Sequence, residues 1–172
     1  MSIEWGSLAS WFSALASFAA VGTALYLASD SKRIKLRGWC GLRQVIGPGH
    51  PPKDFVFLSA TNVGTRAAII NNIGMTVGRS KDKKQAIITA VKDQYSDGVP
   101  VSIEDGQEAK WGIPRGENEQ WLTDLVSGFV DTEDDADSLR FVIYTTHGAA
   151  KEITPEDALI EKIKELVRAR SA

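Results

Sequence analysis

Three observations predict a mainly β protein with helices: an N-terminal transmembrane helix, an antiparallel immunoglobulin-like β-sandwich and a C-terminal amphipathic helix. The run from Trp5 to Ser29, WGSLASWFSALASFAAVGTALYLAS, carries no charge, and Lys32, Arg33, Lys35 and Arg37 follow it at once. From residue 36 to 146, short runs rich in branched and aromatic residues alternate with turns bearing Gly, Pro, Asn or Asp. Residues 154–170 then carry the start signals and apolar spacing of an amphipathic helix. The expected organisation is an anchor over 1–31, a basic juxtamembrane segment over 32–37, a sandwich over 38–153 with an inserted helix near 117–130, and a terminal helix over 154–170.

As a helix, the opening run is about 37 Å long at about 1.5 Å per residue, and a hydrocarbon core of about 30 Å needs about 20 residues. Its bulky side chains form a stripe of Leu8, Trp11, Leu15, Phe18 and Leu25, with Phe12 and Val21 at the edge. Ser10, Ser13, Ser17, Ala20, Ala24 and Ala28 lie opposite. Small residues let helices approach closely in lipid, so Ser13, Ser17, Ala20, Ala24 and Ala28 are candidates for a helix–helix contact in a homo-oligomer. Trp5 and Trp11 at one end and Tyr26 at the other suit interfacial anchoring. A cleaved signal peptide calls for a positive n-region, and MSIEW has none. An interfacial helix calls for a charged face, also missing. A buried helix of a soluble protein is the remaining alternative. Positive charge on the C-terminal side places the N-terminus outside and residues 32–172 in the cytoplasm. Lys32, Arg33, Lys35 and Arg37 are then topology signals with lipid headgroups in reach.

Along the body, Leu36, Cys40, Leu42 and Ile46 fall on one strand face. GPGHPP (47–52) is expected to break regular structure. DFVFLSATN (54–62) and RAAIINNIGMTV (66–77) read as strands joined by a hairpin turn at Asn62–Thr65. Lys81–Lys84 is a charged loop tip. Further strands are expected at Ala86–Val91, Val99–Ile103, Ala109–Pro114 and Leu139–Thr146, the last closed by His147 and Gly148. An antiparallel sheet buries one face and wets the other, which matches this alternation. In 117–130, Trp121, Leu122, Leu125, Val126 and Phe129 make an amphipathic pattern. In the last helix, Thr154 is the expected N-cap and Pro155 the first helical residue. Leu159, Ile160, Ile163, Leu166 and Val167 form its apolar side, with Glu161–Lys164 and Glu165–Arg168 pairs across one turn.

The formal net charge is −2, which gives no electrostatic footprint for nucleic acid. The single Cys40 has no internal partner for a disulfide. His50 and His147 sit in turns, and with Cys40 they match no metal-ligand spacing. There is no P-loop, GxGxxG or GxSxG sequence. The acidic run DTEDDAD (131–137) lacks the Gly and closing Glu of a Ca²⁺ loop and reads as a solvated loop. No catalytic residue, cofactor or metal site is expected. Candidates for a partner surface are Trp39 and Trp111, because Trp is enriched at binding hot spots, with a core location the alternative for either, and Asp134 and Asp135 as a negative patch.

The order of these pieces resembles a group of single-pass membrane proteins of bacteriophage and prophage genomes. The matching segments are WGSLASWFSALASFAAVGTALYLASDSKRIKLR, FVFLSATNVGTRAAIINNIGM, GQEAKWGIP and LRFVIYTTHGAAKEITPEDAL. The likeness spans nearly the whole chain and is one of pattern, so it transfers no functional residue. It implies a phage context and a host inner-membrane address, with superinfection exclusion or a role against host defence by analogy. The expected function is a membrane-anchored, non-enzymatic interaction module contacting lipid and one protein partner. The alternatives are a membrane-active oligomer that forms a pore or lesion, and an enzyme with an unfamiliar site.

Overall fold

A computed structural model describes the backbone of residues 5–48, 50–78 and 83–171, and the side chains of 10–48, 51–78 and 83–170. The chain opens with helix α1 (Trp5–Ser31). Eight strands follow among the described residues: β1 (Leu36–Gly47), β2 (His50–Asn62), β3 (Ala68–Val77), β4 (Lys84–Ile88), β5 (Val101–Ile103), β6 (Glu108–Pro114), β7 (Arg140–Thr145) and β8 (Ala150–Ile153). Between β6 and β7 lie a 3₁₀ turn (Glu117–Glu119) and helices α2 (Gln120–Gly128) and α3 (Glu133–Ser138). Helix α4 (Asp157–Ser171) ends the fold.

All strand pairs are antiparallel, in two sheets. One has the order β1-β2-β6, the other β4-β3-β7-β8 with β5 also on β3. Strand β6 shows why these residues pair. Ala109, Trp111 and Ile113 point inward while Glu108, Lys110 and Pro114 point out, the period of two that a half-wet strand requires. Inward side chains of both sheets join one buried cluster: Cys40, Val56, Leu58 and Trp111 from the first, Ile70, Ile73, Phe141 and Ile143 from the second. Leu122 and Leu125 of α2 and Leu159, Ile163 and Val167 of α4 belong to the same cluster. The body's core is therefore complete without α1.

Several expectations change. The turn Asn62–Thr65 joins strands of different sheets, so it is a crossing between layers and not a hairpin. The hairpin is β1–β2, and its second strand runs through Pro51 and Pro52 where a break was expected. The register shifts between Val45 and Gly47, and prolines are tolerated at such irregularities because the ladder asks no donor of them. Strand β8 was not expected at all; AAKEI has weak strand propensity, and the strand exists because Phe141–Ile153 and Val142–Glu152 pair across the turn at Gly148. Strand β4 ends at Ile88, short of Val91. The charged tip at Lys81–Lys84 lies partly outside the described residues.

The acidic run is a helix, not a loop. Thr132 accepts from the Asp135 amide, and the Asp135 carboxylate accepts from the Thr132 amide, both at 3.1 Å. This reciprocal cap, with Glu133, Asp134 and Asp135 at the positive end of the helix dipole, accounts for α3. Helix α4 starts at Asp157, beyond the expected cap at Thr154, because the Glu156 amide donates to the Cys40 carbonyl of β1 at 2.8 Å. The Glu165–Arg168 pair is also replaced. Arg168 reaches Glu133 of α3 instead, at 3.0 and 2.6 Å.

Candidate functional site

The chain's most unusual surface is α1. Trp11, Phe18 and Tyr26 are 75%, 77% and 70% exposed, and Phe12, Leu15, Val21, Leu25 and Leu27 are also open. Fully burying one such side chain contributes about 1.5–3 kcal/mol. Left in water, eight of them forgo on the order of 10 kcal/mol, as much as the whole stability of a typical domain. The segment Ser10–Ser31 is long and apolar enough to cross a membrane, and none of it is buried inside the protein. Ser13, Ser17, Ala20, Ala24 and Ala28 are likewise exposed. The hydroxyls of Ser17 and Thr23 donate to the carbonyls of Ser13 and Ala19, at 2.9 and 2.8 Å. They thereby satisfy themselves within the helix, as apolar surroundings demand. The side chain of Trp5 lies outside the described residues.

At its C-terminal end α1 meets the body. A helix leaves its last carbonyls without intrahelical donors. Here the Thr65 hydroxyl donates to the Ser31 carbonyl at 3.4 Å, and the Arg66 guanidinium donates to the Lys32 carbonyl at 3.3 Å. The Val63 amide donates to the Lys35 carbonyl at 2.8 Å. The turn that makes these bonds is organised by Asn62, whose amide group donates to the carbonyls of Arg66 and Ile103 while its oxygen accepts from the Gly64 amide. A Cβ on Gly64 would stand 3.2 Å from Lys35, so the backbones approach closely here. Lys35 pairs with Asp30 at 2.5 Å. Lys32, Arg33 and Arg37 are exposed.

The four residues expected at a partner surface separate. Trp111 is 1% exposed, with its indole N–H donating to the Gly98 carbonyl at 2.9 Å. It is a core residue, which corrects its candidacy as a surface contact. Trp39 is half-buried beneath the Arg43 guanidinium, 4.5 Å from the ring centroid. Arg43 also forms a two-pronged ion pair with Glu156, at 2.8 and 2.6 Å. Asp135 is spent on its cap, whereas Asp134 is exposed. Around Asp134 the acidic charge is largely matched: Asp137 by Lys164 at 2.8 Å, Glu133 by Arg168 at 2.6 Å and Asp131 by Lys84 at 2.5 Å. These contacts hold the Asp131 and Glu133 carboxyls below their usual range, chiefly through hydrogen bonds from Lys84 and Arg168.

Apolar side chains outside α1 are exposed as well. Ile87 and Val91, at and just beyond the open edge strand β4, are 61% and 71% exposed. Adjacent Ile87 and Ile88 gave the signal, since neighbouring strand residues face opposite ways and only one can enter the core. Cys40 is fully buried, and burial pushes its thiol far up, so it is a poor nucleophile. His147 is exposed beside the Thr146 hydroxyl; the His50 side chain lies outside the described residues. Among the described residues no three His, Cys, Asp or Glu side chains group as metal ligands. No protein-family model matches the chain, and no curated protein sequence matches it.

Proposed function

We propose that this chain is a single-pass, membrane-anchored, non-enzymatic interaction module of phage or prophage origin. It resides in the inner membrane of a bacterial host, N-terminus outside and residues 32–172 in the cytoplasm, and acts there on a host or phage protein in superinfection exclusion or defence. The observation that carries the anchor is α1: a long apolar helix left uncovered beside a body whose core closes without it. Lys32, Arg33, Lys35 and Arg37, all on its C-terminal side, support the orientation. Exposed Ser13, Ser17, Ala20, Ala24 and Ala28 support pairing of anchors in a homo-oligomer. The pattern likeness to phage membrane proteins supports the context.

Within this reading the body is an immunoglobulin-like sandwich. Lettered along the chain, the orders β1-β2-β6 and β4-β3-β7-β8 become A-B-E and C′-C-F-G, the strand order of that fold. It departs from the pattern where β5 pairs with β3 instead of β6, and where α2 and α3 fill the connection between β6 and β7. Such a body presents loops and an open edge to partners, and Trp39, Asp134, Ile87 and Val91 are its exposed or half-exposed candidates.

Expression of the full chain in a bacterium tests the proposal. The intact mass should stay with the membrane after an alkaline carbonate wash. Protease added outside spheroplasts should spare residues 32–172. A soluble full-length monomer, a product shortened by signal cleavage, or digestion of the body from outside would each overturn it. Collapse of the membrane potential on expression would favour the pore-forming oligomer instead.

A further inference from the structure

We infer that the turn between β2 and β3, residues 63–67, is a second membrane contact: a foot on which the body stands against anionic lipid headgroups. The inference rests on the anchor reading and goes beyond the tether itself. The segment Ser10–Ser31 places its C-terminal end at the bilayer surface. The turn is bound to that end at three points, through Thr65 to Ser31, Arg66 to Lys32 and Val63 to Lys35. Asn62 holds the turn's own shape from inside the body. The body is therefore docked on the helix exit, and Val63 and Arg66 come to the headgroup level with Lys32 and Arg33.

The surface so assembled suits a negatively charged lipid layer. Lys32, Arg33 and Arg66 are exposed, and Arg37 is one step further along β1. The side chains of Lys32 and Arg33 have no partner among the described residues, and the Arg66 guanidinium binds only a carbonyl, so all three charges remain available to phosphates. Val63, 48% exposed, adds an apolar tip. Acidic groups nearby are Asp30, already paired with Lys35, and Glu104 and Asp105 on the adjoining turn, where the Gly106 amide donates to the Asn62 carbonyl. Cationic charge is in excess. The opposite pole, at the β1–β2 hairpin, lies about 33 Å away along ten residues of strand at about 3.3 Å each, well beyond the headgroups.

The test uses the full chain in vesicles that contain spin-labelled headgroups, with either neutral phosphatidylcholine or a phosphatidylglycerol mixture. In a Cys40→Ala background, a fluorophore is placed on Val63→Cys or, at the far pole, on Ile46→Cys. The foot predicts strong quenching at position 63, greater with phosphatidylglycerol, and none at position 46. Arg66→Glu should reduce the quenching at 63 at least two-fold, and Arg66→Lys should restore it. Equal quenching at the two poles, or none at 63 in protein that floats with the vesicles, overturns the foot and leaves the anchor standing. Quenching at 63 that ignores phosphatidylglycerol and Arg66→Glu overturns the anionic-lipid assignment. Protein that does not float with vesicles overturns the anchor, and the foot with it.

Discussion

The buried amide group of Asn62 donates to the Arg66 carbonyl at 2.8 Å, fixing the turn that caps α1. The same nitrogen donates to the Ile103 carbonyl at 3.0 Å, so one side chain joins the turn at the exit of α1 to the end of β5. Asn62→Ala orphans both carbonyls, and each buried, unpaired group costs about 1–3 kcal/mol. Chemical denaturation should show a loss of about 2 kcal/mol or more. A loss below about 0.5 kcal/mol would mean that water replaces the amide and that the turn is not held from inside.

Arg43 and Glu156 tie β1 to the head of α4, and the pair gives the fold an acid-sensitive contact. Hydrogen bonding from Arg43 holds the Glu156 carboxyl below its ordinary 4.5. A carboxyl with a lowered folded pKa stabilises above its unfolded value and loses that contribution as pH falls through the folded one. Both side chains are about two-fifths exposed, so screening limits the pair to about 0.5–1 kcal/mol. Glu156→Gln should lower stability by that amount at pH 7 and by much less at pH 3. Equal losses at both pH values would sink the ion-pair account.

Trp111 decides between core and surface roles. Its ring is enclosed by the sheets and its N–H binds the Gly98 carbonyl. Trp111→Phe should cost about 1–3 kcal/mol through the orphaned carbonyl, and Trp111→Ala about 3–5 kcal/mol through the cavity. Thermal melts read both. Unchanged melting with lost capture of a partner would return Trp111 to the surface.

What could be read in the sequence divides along physical lines. The long apolar helix α1, β6 and the face of α2 were legible because each is a local pattern: an uncharged run, strict alternation, or helical spacing. Helix α3 was not, since DTEDDAD has the composition of a loop; the clue was Thr132 three residues before Asp135, a cap hidden among charges. Strand β8 was illegible because pairing with β7, not its own AAKEI residues, makes it a strand. The crossing at Asn62–Thr65 looked like a hairpin turn because local turn chemistry cannot say which sheet the next strand joins. The contact between the β2–β3 turn and the end of α1 was invisible for the same reason: Arg66 and Lys32 are distant in sequence, and only the fold puts them together. Core and surface were both open for Trp111 in the sequence because residue type alone does not report burial.

Gly74 lies on β3 where the backbone of β4 approaches closely. A Cβ there would stand 2.5 Å from the Ala86 carbonyl oxygen, a backbone atom that cannot rotate away. Gly74→Ala should therefore force the strands apart, at about 1–3 kcal/mol for overpacking, and hydrogen exchange at the amides of β4 should quicken. A stability equal to that of the parent chain would show that the edge strand yields without cost.

Thr76 offers the opposite sign. It lies in the middle layer of the second sheet, between Gln85 of β4 and Arg140 of β7. Its hydroxyl is buried and has no hydrogen-bond partner among the described residues. Burying an unpaired hydroxyl costs about 1–3 kcal/mol on mutational scales, so the group opposes folding where it stands. Valine has nearly the same shape and the same preference for strands, and its extra methyl replaces a polar atom that makes no bond. Thr76→Val should raise the unfolding free energy by about 1 kcal/mol, with the slope against denaturant unchanged. Thr76→Ser, which keeps the hydroxyl and removes the methyl, should lower it. If Thr76→Val destabilises instead, the hydroxyl has a partner in solution, and a water within the sheet is the first to look for.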